Sequence, residues 1–296
     1  MTTVHSPTAG RRRLRNALRQ ARDAAGLTQE HVAEQMDWSL SKVIRIETGV
    51  VSISTNDLRE LLRLYRIDDP AQVAELVELA RIGRRKPWWT RYRDVVPPQY
   101  LSYIGLEDEC NALRMFYPFS MPGLFQTEEF ARAVQDAIIP PILSRASEMV
   151  ELTPREADRR IEFRMIRQEK VLGREVLPEI TAVLEESVLH REVGGPEVLR
   201  RQLLHLVALG SHPHIHIHVL PFTARVVTML SPFTILEFPD PHDTDVVSTE
   251  YAFAYHVHDN PVDVENYRLC FSQLQAAALS KAESLSLIAR IAGKLG

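Results

Sequence analysis

The sequence is short of cysteine and of long apolar runs. It holds 2 cysteines among 296 residues, Cys110 and Cys270, and neither belongs to a CxxC pair. This excludes a disulfide scaffold, argues against a thiolate zinc site and fits a reducing compartment. No apolar run approaches the ~20 residues that a transmembrane helix needs, and no apolar segment follows the basic residues near the N-terminus. We therefore expect a cytoplasmic protein that does not enter a membrane.

The common sequence signatures of enzymes are also missing. There is no P-loop, no GxGxxG after a predicted strand and no GxSxG, and VGGPEV at 193–198 is typical of a loop that leads into a helix. The segment READRRIEFRMIRQEK at 155–170 places its charges at helical spacing, which favours a solvated helix over a site with paired carboxylates. The sequence thus predicts no catalytic activity and no cofactor.

Charge is distributed unevenly along the chain. Residues 1–93 hold 17 Lys and Arg against 11 Asp and Glu, a net charge of +6, and the remainder holds 18 against 28, a net charge of -10. A basic module on an acidic body is typical of a protein in which one part meets a polyanion. A solvated surface that is merely uneven is the alternative. At this length and 45% hydrophobic residues, we expect two or three folded units.

The first third predicts five helices. Leu14, Leu18 and Ala21 recur at i, i+4 and i+7, and Gly26 is placed to end that helix. Thr28 is placed to cap a second helix, and Ser39 a third. The segments TNDLRELLRLYRI and DPAQVAELVELARI predict the fourth and fifth helices.

The third predicted helix, SLSKVIRIET, has a buried and an exposed side. Val43 and Ile46 face inward at i and i+3, which turns Leu40, Ser41 and Arg45 outward on one strip. Arg45 can hold guanine O6 and N7 with two hydrogen bonds, Ser41 can pair with several bases, and Leu40 can contact a thymine methyl group.

The run GLTQEHVAEQMDWSLSKVIRIETG at residues 26–49 resembles the XRE-type helix-turn-helix domain of phage-repressor-like regulators. The resemblance implies a lambda-repressor-like all-α domain over residues 11–83 with its third helix in the major groove of DNA. It also implies an ion pair between Arg22 and Glu47 that joins the first and third helices. The sequence departs from the family at His31, where Glu is common, and at Asp37, where the turn usually has Gly. Asp tolerates the left-handed backbone that the turn needs.

In such a complex six residues are placed to contact DNA. Leu40, Ser41 and Arg45 are expected to reach base edges. Gln29, Ser39 and Lys42 are expected to contact phosphates, and the run RRRLR from Arg11 adds attraction that does not depend on sequence.

Residues 84–99 mix prolines with basic and aromatic residues, which predicts a linker. Trp88, Trp89 and Tyr92 could stack on nucleic-acid bases, but packing of the linker onto the second domain is the preferred interpretation.

The remainder, residues 100–293, predicts a mixed α/β (α+β) domain, so the fold class is multi-domain. Helix-like segments are LSYIGLEDECNALRMFYP, TEEFARAVQDAII, Pro154 to Val171, and two helices between Val262 and Leu295. Strand-like segments are EITAVLEES, HIHIHVLP, SPFTILEFP and DVVSTEYAFAYHV. Several strands flanked by helices indicate a sheet covered by helices.

Residues 88–293 are similar to the C-terminal domain of the WhiJ-like actinobacterial regulators. The similarity rests on WWTRYRD, MPGLFQTEEFARAV, LEESVLHREVGGPEVLRRQLLHL, PFTILEFPD and AALSKAESLSLI. It implies a domain with no established catalytic activity behind an XRE head, and a small partner protein encoded nearby in an antitoxin-like arrangement.

Two His-x-His pairs stand near the ends of predicted strands. They are His214 with His216 and His256 with His258, and they could form a metal site if their strands are neighbours. Because His214, His216 and His218 alternate with aliphatic residues, a half-buried strand with a solvated histidine face is the favoured interpretation. A pH-sensitive cluster is a third possibility.

The combined hypothesis is a sequence-specific DNA-binding transcriptional regulator that binds double-stranded DNA as a homodimer on a two-fold operator. Its C-terminal domain would sense a small molecule or bind a small partner protein and so change the spacing of the two heads. Two alternatives stay open: a metal-dependent enzyme with a DNA-targeting head, and a protein-interaction module that does not bind DNA.

Overall fold

The computed structural model describes residues 7–49, 51–137, 153–226, 230–239, 243–251 and 254–295. The chain divides into two compact units, with Thr90 the last residue of the first. The first unit, called the head below, is all helical, and the C-terminal unit is a mixed six-stranded sheet with helices. The predicted multi-domain fold class is therefore confirmed.

The head has five helices, as predicted. They are α1 (Pro7–Ala24), α2 (Gln29–Gln35), α3 (Leu40–Glu47), α4 (Thr55–Leu64) and α5 (Pro70–Gly83). Thr28 and Ser39 cap α2 and α3, because their hydroxyl oxygens accept from the backbone N–H of His31 and Lys42 at 3.2 Å. Asp37 takes the left-handed conformation expected of it, with φ +51°.

A single apolar core holds the head together. Its most deeply buried side chains are Leu18, Val32, Leu58 and Leu62, contributed by α1, α2 and α4. Val43 and Ile46 of α3 belong to the same core. Burial of this one side of α3 is what leaves its opposite side free for another surface.

The C-terminal unit contains six helices and six strands among its described residues. In chain order they are α6 (Pro98–Glu107), β1 (Ala112–Tyr117), α7 (Glu128–Ala137), α8 (Pro154–Leu172), β2 (Glu179–Glu185), α9 (Pro196–Gly210), β3 (Ile215–Leu220), β4 (Phe233–Glu237), β5 (Val246–Tyr251), β6 (Ala254–His258), α10 (Pro261–Ala277) and α11 (Lys281–Ala292). The strand order is β3-β2-β1-β4-β5-β6. Strands β1, β2 and β3 are parallel, and the β1–β4, β4–β5 and β5–β6 pairs are antiparallel.

Helix α10 covers one face of this sheet. Phe271 and Leu274 of α10 pack with Phe116, Phe233 and Val247 of the central strands in one buried cluster. The opposite face of β1, β4, β5 and β6 is turned toward α6 and α8, and a cavity lies there. No helix in the described part of the chain is long and apolar enough to cross a membrane.

Two sequence predictions in this unit are wrong. The segment LSYIGLEDECNALRMFYP is not one helix, since α6 ends at Glu107 and Ala112–Tyr117 form the central strand β1. Nearly every β1 side chain is buried, and a short apolar run of this kind has no periodicity that separates strand from helix. The segment DVVSTEYAFAYHV is not one strand but the antiparallel pair β5 and β6. The predicted helix TEEFARAVQDAII agrees with α7, and its last two residues lie outside the described part of the chain.

The prediction of a solvated charged helix at 155–170 is wrong for one side of α8. Arg167 is 4% exposed and Glu107 of α6 is 1% exposed. Arg167 donates to both carboxylate oxygens of Glu107 at 2.6 Å. Arg159 and Arg160 also bind residues 94 and 95, at the end of the segment predicted as a linker. Tyr92 packs edge-on against Phe163 of α8.

Glu107→Gln keeps the shape of the side chain but leaves Arg167 buried without a carboxylate. We expect a loss of about 3–5 kcal/mol in the free energy of unfolding, measured by urea unfolding followed by far-UV circular dichroism. Glu128→Gln is the matched control. Glu128 pairs with Arg132 on the surface at 2.9 Å, so its loss should stay below about 1 kcal/mol. Equal losses in the two variants would show that burial adds nothing to the Glu107–Arg167 pair.

Candidate functional site

Helix α3 presents four exposed side chains on one strip. Leu40, Ser41 and Arg45 are exposed, as the sequence predicted, and Ile44 is 39% exposed between them. Ile44 was missed because an isoleucine in a short helix is ordinarily assigned to the core. Its position four residues after Leu40 was the available signal. These four residues are called the exposed strip below. Together they can offer a guanidinium group, a hydroxyl and two apolar surfaces to a partner.

A buried carboxylate holds α3 from behind. Glu47 is 1% exposed and accepts from Arg22 Nε of α1 and from Gln29 Nε2 of α2, each at 2.7 Å. Arg22 Nη1 also donates to the carbonyl of Leu27 at 2.9 Å. The carboxylate of Glu47 raises the pKa of Arg22 by its hydrogen bond, against the opposing effect of burial. Glu47 therefore ties the first three helices together.

The residues expected to contact phosphates have partners within the head. Gln29 gives one amide N–H to Glu47, and the Ser39 oxygen accepts the capping bond from Lys42 N. The Lys42 ammonium lies 3.2 Å from Asp57 Oδ2 and 3.7 Å from the centroid of the Trp38 ring. Lys42 is half-exposed, so its ammonium group can leave Asp57 at little cost.

The N-terminal arginines are partly absorbed by the fold. Arg11 Nε donates to the carbonyl of Gly83 at 2.7 Å, and Arg12 is buried. Arg11 and Arg12 therefore support the contact between α1 and α5 rather than forming a free basic arm.

The histidine pairs do not form one site. His214 Nδ1 lies 2.5 Å from Glu179 Oε1, and His216 Nε2 lies 3.3 Å from Glu179 Oε2. His256 and His258 are on β6, at the other edge of the sheet from β3. Five strand spacings of about 4.8 Å, roughly 24 Å, separate the two edges. The metal site formed by both His-x-His pairs is therefore wrong, and no group of three or more ligands in the described part of the chain could hold a metal ion.

The alternation along β3 follows the favoured interpretation. Ile215, Ile217 and Val219 are buried, while His216 and His218 are partly exposed. The stripe of imidazoles thus lies on the side of β3 that faces solvent.

A cavity of about 150 Å³ lies between the sheet and helices α6 and α8. Four tyrosines line it, Tyr100, Tyr103, Tyr117 and Tyr255, and it is called the tyrosine cavity below. Tyr100 is stacked on Tyr103 with centroids 5.8 Å apart, and its centroid lies 4.7 Å from that of Tyr255. Burial raises the pKa of all four hydroxyls, so they remain hydrogen-bond donors at neutral pH.

Charged groups also line the tyrosine cavity. Arg164 and Arg167 of α8 lie beside Gly123, where a Cβ atom would be 3.9 Å from Arg164 Nε and 3.4 Å from Arg167 Nη1. Glu250 of β5 accepts from the Tyr255 hydroxyl at 3.1 Å. Burial raises the pKa of the Glu250 carboxyl, although Tyr255 and the two arginines oppose the shift. The sequence analysis missed this site because its residues come from five separate elements.

The thiol of Cys110 takes no part in an open site. Cys110 is buried, and burial raises its pKa to about 12. The thiol is therefore protonated at neutral pH and is a poor nucleophile.

Comparison with known proteins gives two family matches. Residues 13–76 match a family described as a helix-turn-helix domain, which supports a DNA-binding regulator. Residues 100–290, well over half of the 296-residue chain, match the domain of unknown function DUF5753. No curated protein and no solved structure matches the chain. The chain therefore belongs to the DUF5753 family, with a helix-turn-helix domain ahead of that domain.

Proposed function

We propose that this protein is a sequence-specific transcriptional regulator that reads the major groove of DNA with α3 and responds to a small molecule held in its C-terminal unit. The observation that carries the proposal is the exposed strip on α3, whose opposite side is fixed by the core and by Glu47. A helix fixed in this way can present base-reading side chains without a large loss of conformational freedom on binding.

The chemistry of the exposed strip suits direct readout. The Arg45 side chain has no partner in the described part of the chain, so its planar guanidinium is free to hold a guanine by two hydrogen bonds. Leu40 and Ile44 offer apolar surface that suits thymine methyl groups. Ser41 can donate to or accept from either purine or pyrimidine.

A response to a small molecule is supported by the tyrosine cavity. Ligand sites in proteins are concave and mostly apolar or aromatic, with a few convergent polar groups, and this cavity has that composition. A small partner protein, as in the antitoxin-like arrangement, is the second candidate for the effector of this unit. It is favoured only by the similarity to WhiJ-like actinobacterial regulators.

The oligomeric state and class follow from the same proposal. One head contacts a half-site, so we propose a homodimer on a two-fold operator in the cytoplasm. We propose a non-enzymatic role, because the histidine pairs that motivated a metal-dependent enzyme stand at opposite edges of the sheet.

Arg45→Ala tests the reading helix. We expect specific affinity to fall by about 1–3 kcal/mol, the contribution of one bidentate base contact. The measurement is fluorescence anisotropy on duplexes that tile the DNA upstream of the protein's own gene, with random duplex beside them. Arg63→Ala is the matched control, because Arg63 is exposed and lies nearly two turns along α4 from Asp57.

Three outcomes would count against the assignment. An equal loss on specific and random duplex would make Arg45 a phosphate contact. An equal loss in Arg63→Ala would reduce the effect to net charge. No binding of any duplex by the folded wild type would overturn the DNA-binding function itself.

The Lys42–Asp57 contact gives a second prediction. If Lys42 binds phosphate, Asp57 competes for its ammonium group, so Asp57→Asn should raise affinity on every duplex by roughly two- to five-fold. Lys42→Gln should weaken binding on every duplex and lower the slope of log K against log salt by about 1. In the double variant the gain from Asp57→Asn should disappear. If the gain persists without Lys42, Asp57 acts on DNA directly and not through the lysine.

A further inference from the structure

The tyrosine cavity contains two charges of opposite sign that lack an ionic partner. Arg164 donates to the side-chain oxygen of Gln126, which is neutral. Glu250 accepts one hydrogen bond from Tyr255. In the described part of the chain neither residue forms an ion pair, with the other or with a third residue. Both line the same cavity, so a bound molecule could reach both.

The neighbouring arginine shows what a satisfied charge looks like here. Arg167 gives two hydrogen bonds to Glu107 at 2.6 Å and a further one to the Tyr100 hydroxyl at 2.5 Å. A charge taken from water without such compensation costs several kcal/mol. The fold has therefore compensated Arg167 and left Arg164 and Glu250 available.

The aromatic rings suit a cation beside Glu250. Tyr255 binds Glu250 directly and lies 4.7 Å from Tyr100 between ring centroids. The faces of tyrosine rings attract ammonium groups. Glu250 is partly buried, so a cation there would meet a carboxylate with little competing water.

Size limits the ligand further. A cavity of about 150 Å³ accommodates a molecule about as large as benzene. This volume suits one small molecule and is too small for a peptide or a nucleotide.

We propose that the tyrosine cavity binds a small zwitterion of the α-amino acid class, with its carboxylate on Arg164 and its ammonium group on Glu250 and the tyrosine rings. An anion without an ammonium group would leave Glu250 unpaired, and a cation without a carboxylate would leave Arg164 unpaired. The proposal deepens the ligand-sensing part of the proposed function and rests on it for its biological meaning.

The first experiment compares whole and half ligands on the full chain. Each standard L-amino acid is tested by thermal shift at millimolar concentration, and the one that stabilises most is carried into calorimetry. Its matching amine, which lacks the carboxylate, and its matching carboxylic acid, which lacks the ammonium group, are measured beside it. We expect each half ligand to bind about ten-fold more weakly or worse, since each loses a charged hydrogen bond.

Variants assign each end of the ligand. In Arg164→Gln the amino acid should bind no better than its matching amine, and in Glu250→Gln no better than its matching acid. Arg200→Gln and Glu265→Gln change exposed residues of the same unit and should leave all three affinities unchanged. This pattern distinguishes loss of a contact from general damage to the fold, which would weaken every ligand together.

The pH profile gives a readout that a structural role would not move. Glu250 faces Tyr255 of β6, Tyr100 of α6, Tyr117 of β1 and the two arginines of α8. Because burial raises the pKa of Glu250, its ionised fraction increases as pH rises through that pKa. Affinity for the amino acid should rise over the same range in the wild type and stay flat in Glu250→Gln.

The outcomes separate this proposal from the proposed function. If no amino acid stabilises the protein, or if a half ligand binds as tightly as the whole, the zwitterion proposal is overturned. Duplex binding by anisotropy is measured independently in both cases. If the amino acid binds as expected but no duplex does, the cavity assignment stands and the DNA-binding function fails.

Discussion

The C-terminal unit depends on keeping Glu107 and Arg167 together out of water. Separation of the pair would leave two desolvated charges, so α6 and α8 are held at the distance that two 2.6 Å hydrogen bonds require. Tyr100 and Tyr103 lie on α6 around the same guanidinium, with its carbon 5.6 and 5.4 Å from their ring centroids. The walls of the tyrosine cavity are therefore set by an interaction that is not itself part of the proposed ligand contact.

The head uses the same physical device on a smaller scale. Glu47 is buried and compensated by Arg22 and Gln29, which fixes α3 against α1 and α2. In both units a carboxylate inside the fold determines where a helix lies, and the exposed or cavity-facing side of that helix carries the candidate function. A buried ion pair adds little to net stability compared with apolar packing, but it penalises alternative arrangements strongly.

The sequence predicts the head in much more detail than the C-terminal unit, for a physical reason. In the head, caps, glycines and 3.6-residue periodicity are local, so Thr28, Ser39 and Gly49 mark the helix ends without knowledge of the rest of the fold. In the C-terminal unit, β1 is buried on both faces and its identity depends on β2 and β4, which are distant in sequence. The site there is built from α6, α8, β1, β5 and β6, and no local pattern brings those segments together. Arg167 illustrates the limit, since its spacing along α8 is the same as that of an exposed arginine.

The energetics of regulation fit the number of unsatisfied charges in the cavity. Allosteric coupling between two sites has a free energy of about 1–3 kcal/mol, and one hydrogen bond to a charged group contributes roughly 1.5–3 kcal/mol. A ligand shifts a conformational equilibrium only by the difference in its affinity for the two states. If one conformation let a ligand reach both Arg164 and Glu250 and another let it reach a single one, the lost contact would supply that difference. Two opposed charges in one cavity are therefore enough to couple occupancy to DNA binding, provided that the conformation which closes on both is the one that changes the head.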